Sequence, residues 1–126
     1  MSKISVYCID NSARTEMEFS HRGYRNDIFV CVEDQIFKIV IYDIVRLQQD
    51  FETRIQEEQY VDIEPNIVLV REVKKENIIF TLEKLHEDDY FRKINPVDRH
   101  RIEELDTGEI FIKHEFWGNR KLIKIN

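Results

Sequence analysis

The stretch from residue 28 to residue 58 changes its hydrophobic period once, and that change constrains the fold more than any other feature of the chain. Ile28-Phe29-Val30-Cys31-Val32 and Ile36-Phe37-Lys38-Ile39-Val40-Ile41-Tyr42 are β-rich runs on either side of the polar connection Glu33-Asp34-Gln35. That spacing predicts a hairpin. After Tyr42 the period lengthens. Ile44, Leu47, Phe51 and Ile55 recur at helical spacing and share one face, and Asp43 stands before them as a candidate N-cap. A helix over 43–58 is expected, packed on a core through those four residues. Arg46, Asp50, Arg54 and Glu58 alternate in charge along one flank of it. Each such pair contributes only about 0.2–0.5 kcal/mol, enough to support an exposed helix without defining a site.

The remaining segments fit around this unit. Residues 3–9 alternate and read as a strand ended by Asp10-Asn11-Ser12, and residues 15–20 read as a possible returning strand. Pro65 precedes Asn66-Ile67-Val68-Leu69-Val70, a buried strand by composition. Residues 74–86 fit either class, since Ile78, Phe80 and Leu82 alternate while Ile78, Leu82 and Leu85 form a helical stripe. The helix is preferred because good helix formers dominate its second half. Tyr90-Phe91 close that segment and Asn95-Pro96 mark a turn. Asp106-Thr107-Gly108 opens a last β region at Ile110-Phe111-Ile112, which Gly118-Asn119 turns back into Leu122-Ile123-Lys124-Ile125. With three glycines, two prolines and no low-complexity linker, residues 1–126 read as a single domain. The expected architecture is α+β, a mainly antiparallel sheet of about five strands with one or two helices packed on one face.

No catalytic or metal-binding motif emerges. His21, His86, His100 and His114 are scattered, and no two of them stand at the i, i+4 spacing that sets a pair of histidine ligands on one helix face. Three isolated glycines cannot build a phosphate loop, and no cofactor is implied. The acidic pairs Glu33-Asp34, Glu57-Glu58, Asp88-Asp89 and Glu103-Glu104 lie in polar stretches that read as solvated surface rather than as the partly buried carboxylates of acid–base catalysis. His100 lies between Arg99 and Arg101, but Glu103, Glu104 and Asp106 cancel that basic patch. Cys8 and Cys31 sit in apolar runs and read as buried free thiols in a reducing compartment. No apolar run approaches membrane-spanning length and no secretory leader is apparent, so a cytoplasmic protein with no membrane partner is expected.

Charge carries the functional information. A formal net charge of −6 argues against a nucleic-acid partner and suits a basic one. From Asp43 to Glu64 seven acids face two bases, a net −5, whereas the last fifteen residues hold a net +3. Asp50 and Glu58 have arginines one turn away. Glu52, Glu57, Asp62 and Glu64 have none within the segment, and these four are the candidate partner-binding residues.

Phe29 with Val30 and Val32, then Tyr42-Asp43-x-x-Arg46-Leu47-x-Gln49-Asp50-Phe51-Glu52, then Asn66-Ile67-Val68-Leu69-Val70, then Leu85, Tyr90-Phe91 and Pro96, form a pattern over 29–96. It resembles immunity proteins of bacterial contact-dependent growth inhibition systems. The resemblance implies a cytoplasmic antitoxin that binds a cognate C-terminal toxin domain, commonly a nuclease with a basic cleft, and blocks it without catalysis. It carries over no contact residue, because the matching positions are core and helix-face residues. The competing classes are a small enzyme or enzyme subunit with a site assembled from dispersed residues, and a chaperone or adaptor for a basic secreted protein.

Overall fold

In a computed structural model the β-rich runs pair as expected, and residues 4–61, 63–97, 102–104, 110–114 and 118–126 are described. β2 (Tyr24–Val32) and β3 (Gln35–Tyr42) form the antiparallel hairpin, with Val30 opposite Phe37 and Val32 opposite Gln35. The connection is two residues long, and Glu33 takes the left-handed conformation (φ 56°) that so short a turn demands. A bulge between Arg25 and Ile28 resets the register. β1 (Ser5–Cys8) lies antiparallel on the other side of β2. β4 (Ile67–Leu69) joins β3 in parallel, Ile41 opposite Val68, after the crossover helix α2 (Ile44–Glu58). β5 (Ile102–Glu104), β6 (Ile110–His114) and β7 (Gly118–Lys124) add an antiparallel meander, and β7 pairs β1 at Tyr7 and Cys8. Among the described residues the mixed sheet has seven strands in the order β4-β3-β2-β1-β7-β6-β5 and is mostly antiparallel. The class is α+β, with more strands and one more helix than the sequence reading counts.

Residues 15–20 are not a strand. They belong to α1 (Ala13–Arg22), whose limits are set by caps. Ser12 Oγ accepts from Thr15 N at 3.2 Å, and Gly23 (φ 70°) donates its N–H to Phe19 O at 2.9 Å. Asp10 ties the cap down by accepting from Ser12 N and from the Thr15 hydroxyl. Met17 and Phe19 alternate as strand residues would, but the cap at one end and the glycine at the other decide for helix. Gly23 has a second role. The Asp43 carboxylate lies where a Cβ would stand, and Asp43 N donates to Gly23 O at 2.9 Å, so only glycine lets the start of α2 approach the end of α1 so closely.

The ambiguous segment is helical, as preferred: α3 runs Lys75–Glu87 and buries Ile78 and Leu82. Lys74 offers no side-chain cap, and Glu16 of α1 supplies one by accepting from Lys75 N at 2.8 Å. α1 and α3 cover one face of the sheet. Val6, Cys8, Ile28, Val30, Phe37, Ile39, Ile41 and Val68 of the strands and Val70 just after β4 meet Ile78, Leu82 and the buried Phe91 there, with Phe19 at the margin. The opposite face carries a smaller core in which Tyr7, Phe29 and Ile36 meet Ile110, Ile112 and Leu122. Gly118 and Asn119 are not the turn. They are the first residues of β7, opposite His114 and Lys113, because the chain must reverse between those paired positions. The Asp106-Thr107-Gly108 reading lies outside the described residues, as do Asp98–Arg101.

Candidate functional site

α2 departs most from expectation. Its span and its Asp43 N-cap, which accepts from Arg46 N at 2.8 Å, are those read from the sequence. Its apolar face is not core. None of its residues is buried, and Ile44 and Phe51 are 58% and 45% exposed. The reason is topological. Strand alternation points Ile41 and Val68 into the large core, so their neighbours Tyr42 and Ile67 face the other way, and α2 meets the sheet on that second side. The meander covers the second face only over β1, β2 and the start of β3. At the β3–β4 end, α2 and the loop after it are the only cover among the described residues, and they do not close.

What remains is an open groove of about 550 Å³, floored by Tyr42 and Ile67 and walled by Ile44, Leu47 and Phe51 on α2 and by Val61 and Ile63 on the loop. Gln48, Asp50, Thr53 and Arg54 complete its lining. Ile63 is 62% exposed, and Tyr60, next in sequence to the lining residue Val61, is 65% exposed. The polar lining is organised. Asp50 accepts from the Tyr42 hydroxyl at 2.9 Å and from Arg46 Nε at 3.0 Å, and the Arg46 guanidinium lies over the Tyr24 ring. Burial, reinforced by donation to Asp50, holds the Tyr42 hydroxyl well above the usual tyrosine pKa, so it remains a proton donor and anchors α2 to the sheet. Arg54 reaches Glu58 at 3.5 Å. The two arginines of the acidic segment are therefore engaged by two of its acids, and Asp43 is engaged as a cap.

Of the four acids singled out from the sequence, Glu52, Glu57 and Glu64 are exposed and Asp62 lies outside the described residues. Glu52 follows the lining residue Gln48 by one turn, and Glu57 follows Thr53 by one turn. At 3.6 residues per turn the two acids stand about 140° apart, on opposite borders of the groove-facing side of α2 rather than in one patch. Glu64 follows Ile63 on the loop and faces the sheet's second side. It is near enough to Lys38 for its charge to oppose the fall in that lysine's pKa that burial causes. Glu52, Glu57 and Glu64 are not themselves lining residues, and the groove is not legible in the charge pattern that singles them out.

The thiols differ from one another. Cys8 is fully buried, and desolvation pushes its pKa up to about 11. Cys31 is only partly buried, on the opposite face of the sheet, with its Sγ 3.5 Å from Glu33 O. Neither is in a disulfide, and the buried-thiol reading holds for Cys8 and fails for Cys31, which the short turn leaves near the sheet's end. Among the described residues no group of three or more His, Cys, Asp and Glu side chains is placed to hold a metal ion, and no helix is long and apolar enough to cross a membrane. No family model matches the chain, and neither a curated protein nor a solved structure shows a significant match to it.

Proposed function

We propose that this chain is an immunity protein, a cytoplasmic antitoxin that binds a cognate basic toxin domain and blocks its activity without catalysis of its own. The observation that carries the reading is the open apolar groove beside α2, flanked on that helix by Glu52 and Glu57, which form no ion pair among the described residues. Large apolar side chains left half-exposed around one concavity are the ordinary mark of a protein–protein contact. An acidic border adds attraction toward a basic cleft and speeds capture of it. The sequence pattern over residues 29–96 supports the same class.

The test is protection. A toxin domain encoded beside this chain is produced in cells with and without it, and nucleic-acid cleavage by the purified domain is followed as the protein is titrated in. The reading expects survival and loss of cleavage at one-to-one stoichiometry. Cleavage that continues in a saturated complex would assign the chain to the chaperone or adaptor class, and hydrolytic activity in the isolated chain would assign it to the enzymes.

A further inference from the structure

The groove has a chemistry that selects its occupant. Its floor and walls are apolar, with Ile44, Phe51 and Ile63 more than a third exposed in the free protein. Its internal charges, Asp50 and Arg54, are already paired with Arg46 and Glu58 on the same helix. Among the described residues the charges left over are acidic: Glu52 and Glu57 on the two flanks of α2, and Glu64 on the loop, which Lys38 offsets in part. An acidic segment entering here would meet like charge on three sides. A purely apolar one would leave the border acids without counter-charge while desolvating them.

We infer that the groove receives an amphipathic segment of the partner protein, its apolar side chains seated between α2 and the pair Val61 and Ile63 and its lysines or arginines reaching the border acids. The volume, about 550 Å³, is in the range of roughly 300–1,000 Å³ usual for sites that enclose a ligand group. The arrangement is that of helix-in-groove recognition, with apolar anchors supplying affinity and flanking charges supplying orientation. This deepens the antitoxin reading by naming the element that enters, and it rests on that reading only for the partner's identity.

The experiment uses the full chain and a fluorescein-labelled helical peptide with leucine on one face and lysine on the other. Two controls replace lysine by glutamate or leucine by serine. Fluorescence anisotropy is read at low and moderate salt. The leucine–lysine peptide binds wild type, and each control binds at least about tenfold more weakly. Phe51→Ser and Ile63→Ser each weaken binding about tenfold while lowering the melting temperature by no more than about 5 °C, as largely exposed anchors should. Glu52→Lys and Glu57→Lys weaken it and flatten its salt dependence.

Binding that ignores Phe51→Ser and Ile63→Ser, or that does not distinguish the three peptides, overturns the proposal. So does a sedimenting dimer that Phe51→Ser converts to monomer, which would make a second copy the occupant. Tight binding of lauric acid in competition with a charge-insensitive peptide signal would make the occupant a small apolar ligand and overturn it likewise. The protection assay separates the two readings. Phe51→Ser protein that loses the peptide yet still protects cells sinks the groove and leaves the antitoxin. Groove-specific peptide binding by a wild-type protein that protects against no adjacent toxin sinks the antitoxin and leaves the groove.

Discussion

Arg25 is enclosed where a charge is most expensive, on the large-core face of β2 beneath α1, with only 1% of its surface exposed. Its position is tolerable because every side of the guanidinium is answered. Nε lies 2.6 Å from Asp27 Oδ1, a terminal nitrogen donates to Asp10 O at 3.1 Å, and the Phe19 ring stacks 4.7 Å away. Asp27 in turn accepts from Ile9 N. The pair therefore joins the end of β1, the β2 bulge and α1. Asp27→Ala leaves an uncompensated buried guanidinium and should destabilise the fold by about 3–5 kcal/mol in urea titrations. Asp27→Asn, which keeps acceptors in place, should cost less. Cys8 makes the second residue-scale prediction. Its folded pKa is raised from 9.0 to about 11 by burial, so between those values the unfolded thiol ionises while the folded one does not. The native state then holds more protons than the unfolded, and stability must fall as pH rises through that window, being fully present below it. Cys8→Ala should remove that component of the alkaline slope. In the native protein at neutral pH iodoacetamide should label Cys31 well before Cys8.

At the scale of elements, α2 and α3 illustrate the difference between a helix that has an apolar face and one that has buried it. Leu82→Ala in α3 opens a cavity in the large core and should cost about 2–5 kcal/mol. Phe51→Ala in α2 removes a side chain already 45% exposed and should cost about 1 kcal/mol or less. Parallel urea denaturations decide it; equal losses would mean that α2 closes on the sheet in solution. The contrast also marks how far the sequence could be read. Its period showed which residues of α2 share a face, and its N-cap showed where the helix begins, because both signals are local. What the face meets is not local. It depends on β3 and β4 being parallel, on which of Tyr42 and Ile41 points outward, and on Val61 and Ile63 returning beside Phe51 after the helix ends. α1 was lost for a related reason. Only Met17 and Phe19 are apolar in its middle, too few to define a period, and the cap signals at Ser12 and Gly23 were the stronger evidence. Gly118-Asn119 has the composition of a turn, but its register opposite His114 and Lys113 is fixed by pairing with β6.

At the scale of the whole molecule, on the antitoxin reading, the distribution of charge would set how the partner arrives and the groove how long it stays. Net −6 is concentrated around α2 and its loop, while the exposed Arg120, Lys121 and Lys124 lie on the β7 side of the sheet. Such a dipolar layout turns the groove toward a basic partner during approach. The three described border acids are not equivalent, however. Glu52 and Glu57 project from an exposed helix, whereas Glu64 supports the charge of half-buried Lys38, so a lysine at 64 would add repulsion inside the fold as well as at the interface. The informative variant is therefore Glu52→Lys with Glu57→Lys and Glu64→Gln, which raises the formal net charge from −6 to −1. On the antitoxin reading its association with the toxin domain should slow by about 10–100-fold at low salt and approach the wild-type rate at high salt, as expected when steering is lost. Dissociation should change little, because solvent-exposed border charges act mainly on encounter, whereas Phe51→Ser should act on dissociation. Folding stability should move by no more than about 0.5 kcal/mol for each helix substitution. A net charge near zero also promotes self-association, so Glu52→Gln with Glu57→Gln serves as the control that weakens the field without inverting it. Stopped-flow association across a salt series reads all three proteins. An association rate that is the same in all of them at every salt concentration would show that the partner does not approach along α2. The acids of residues 52–64 would then be solvated surface, and the groove would have to be entered by a partner that does not feel them.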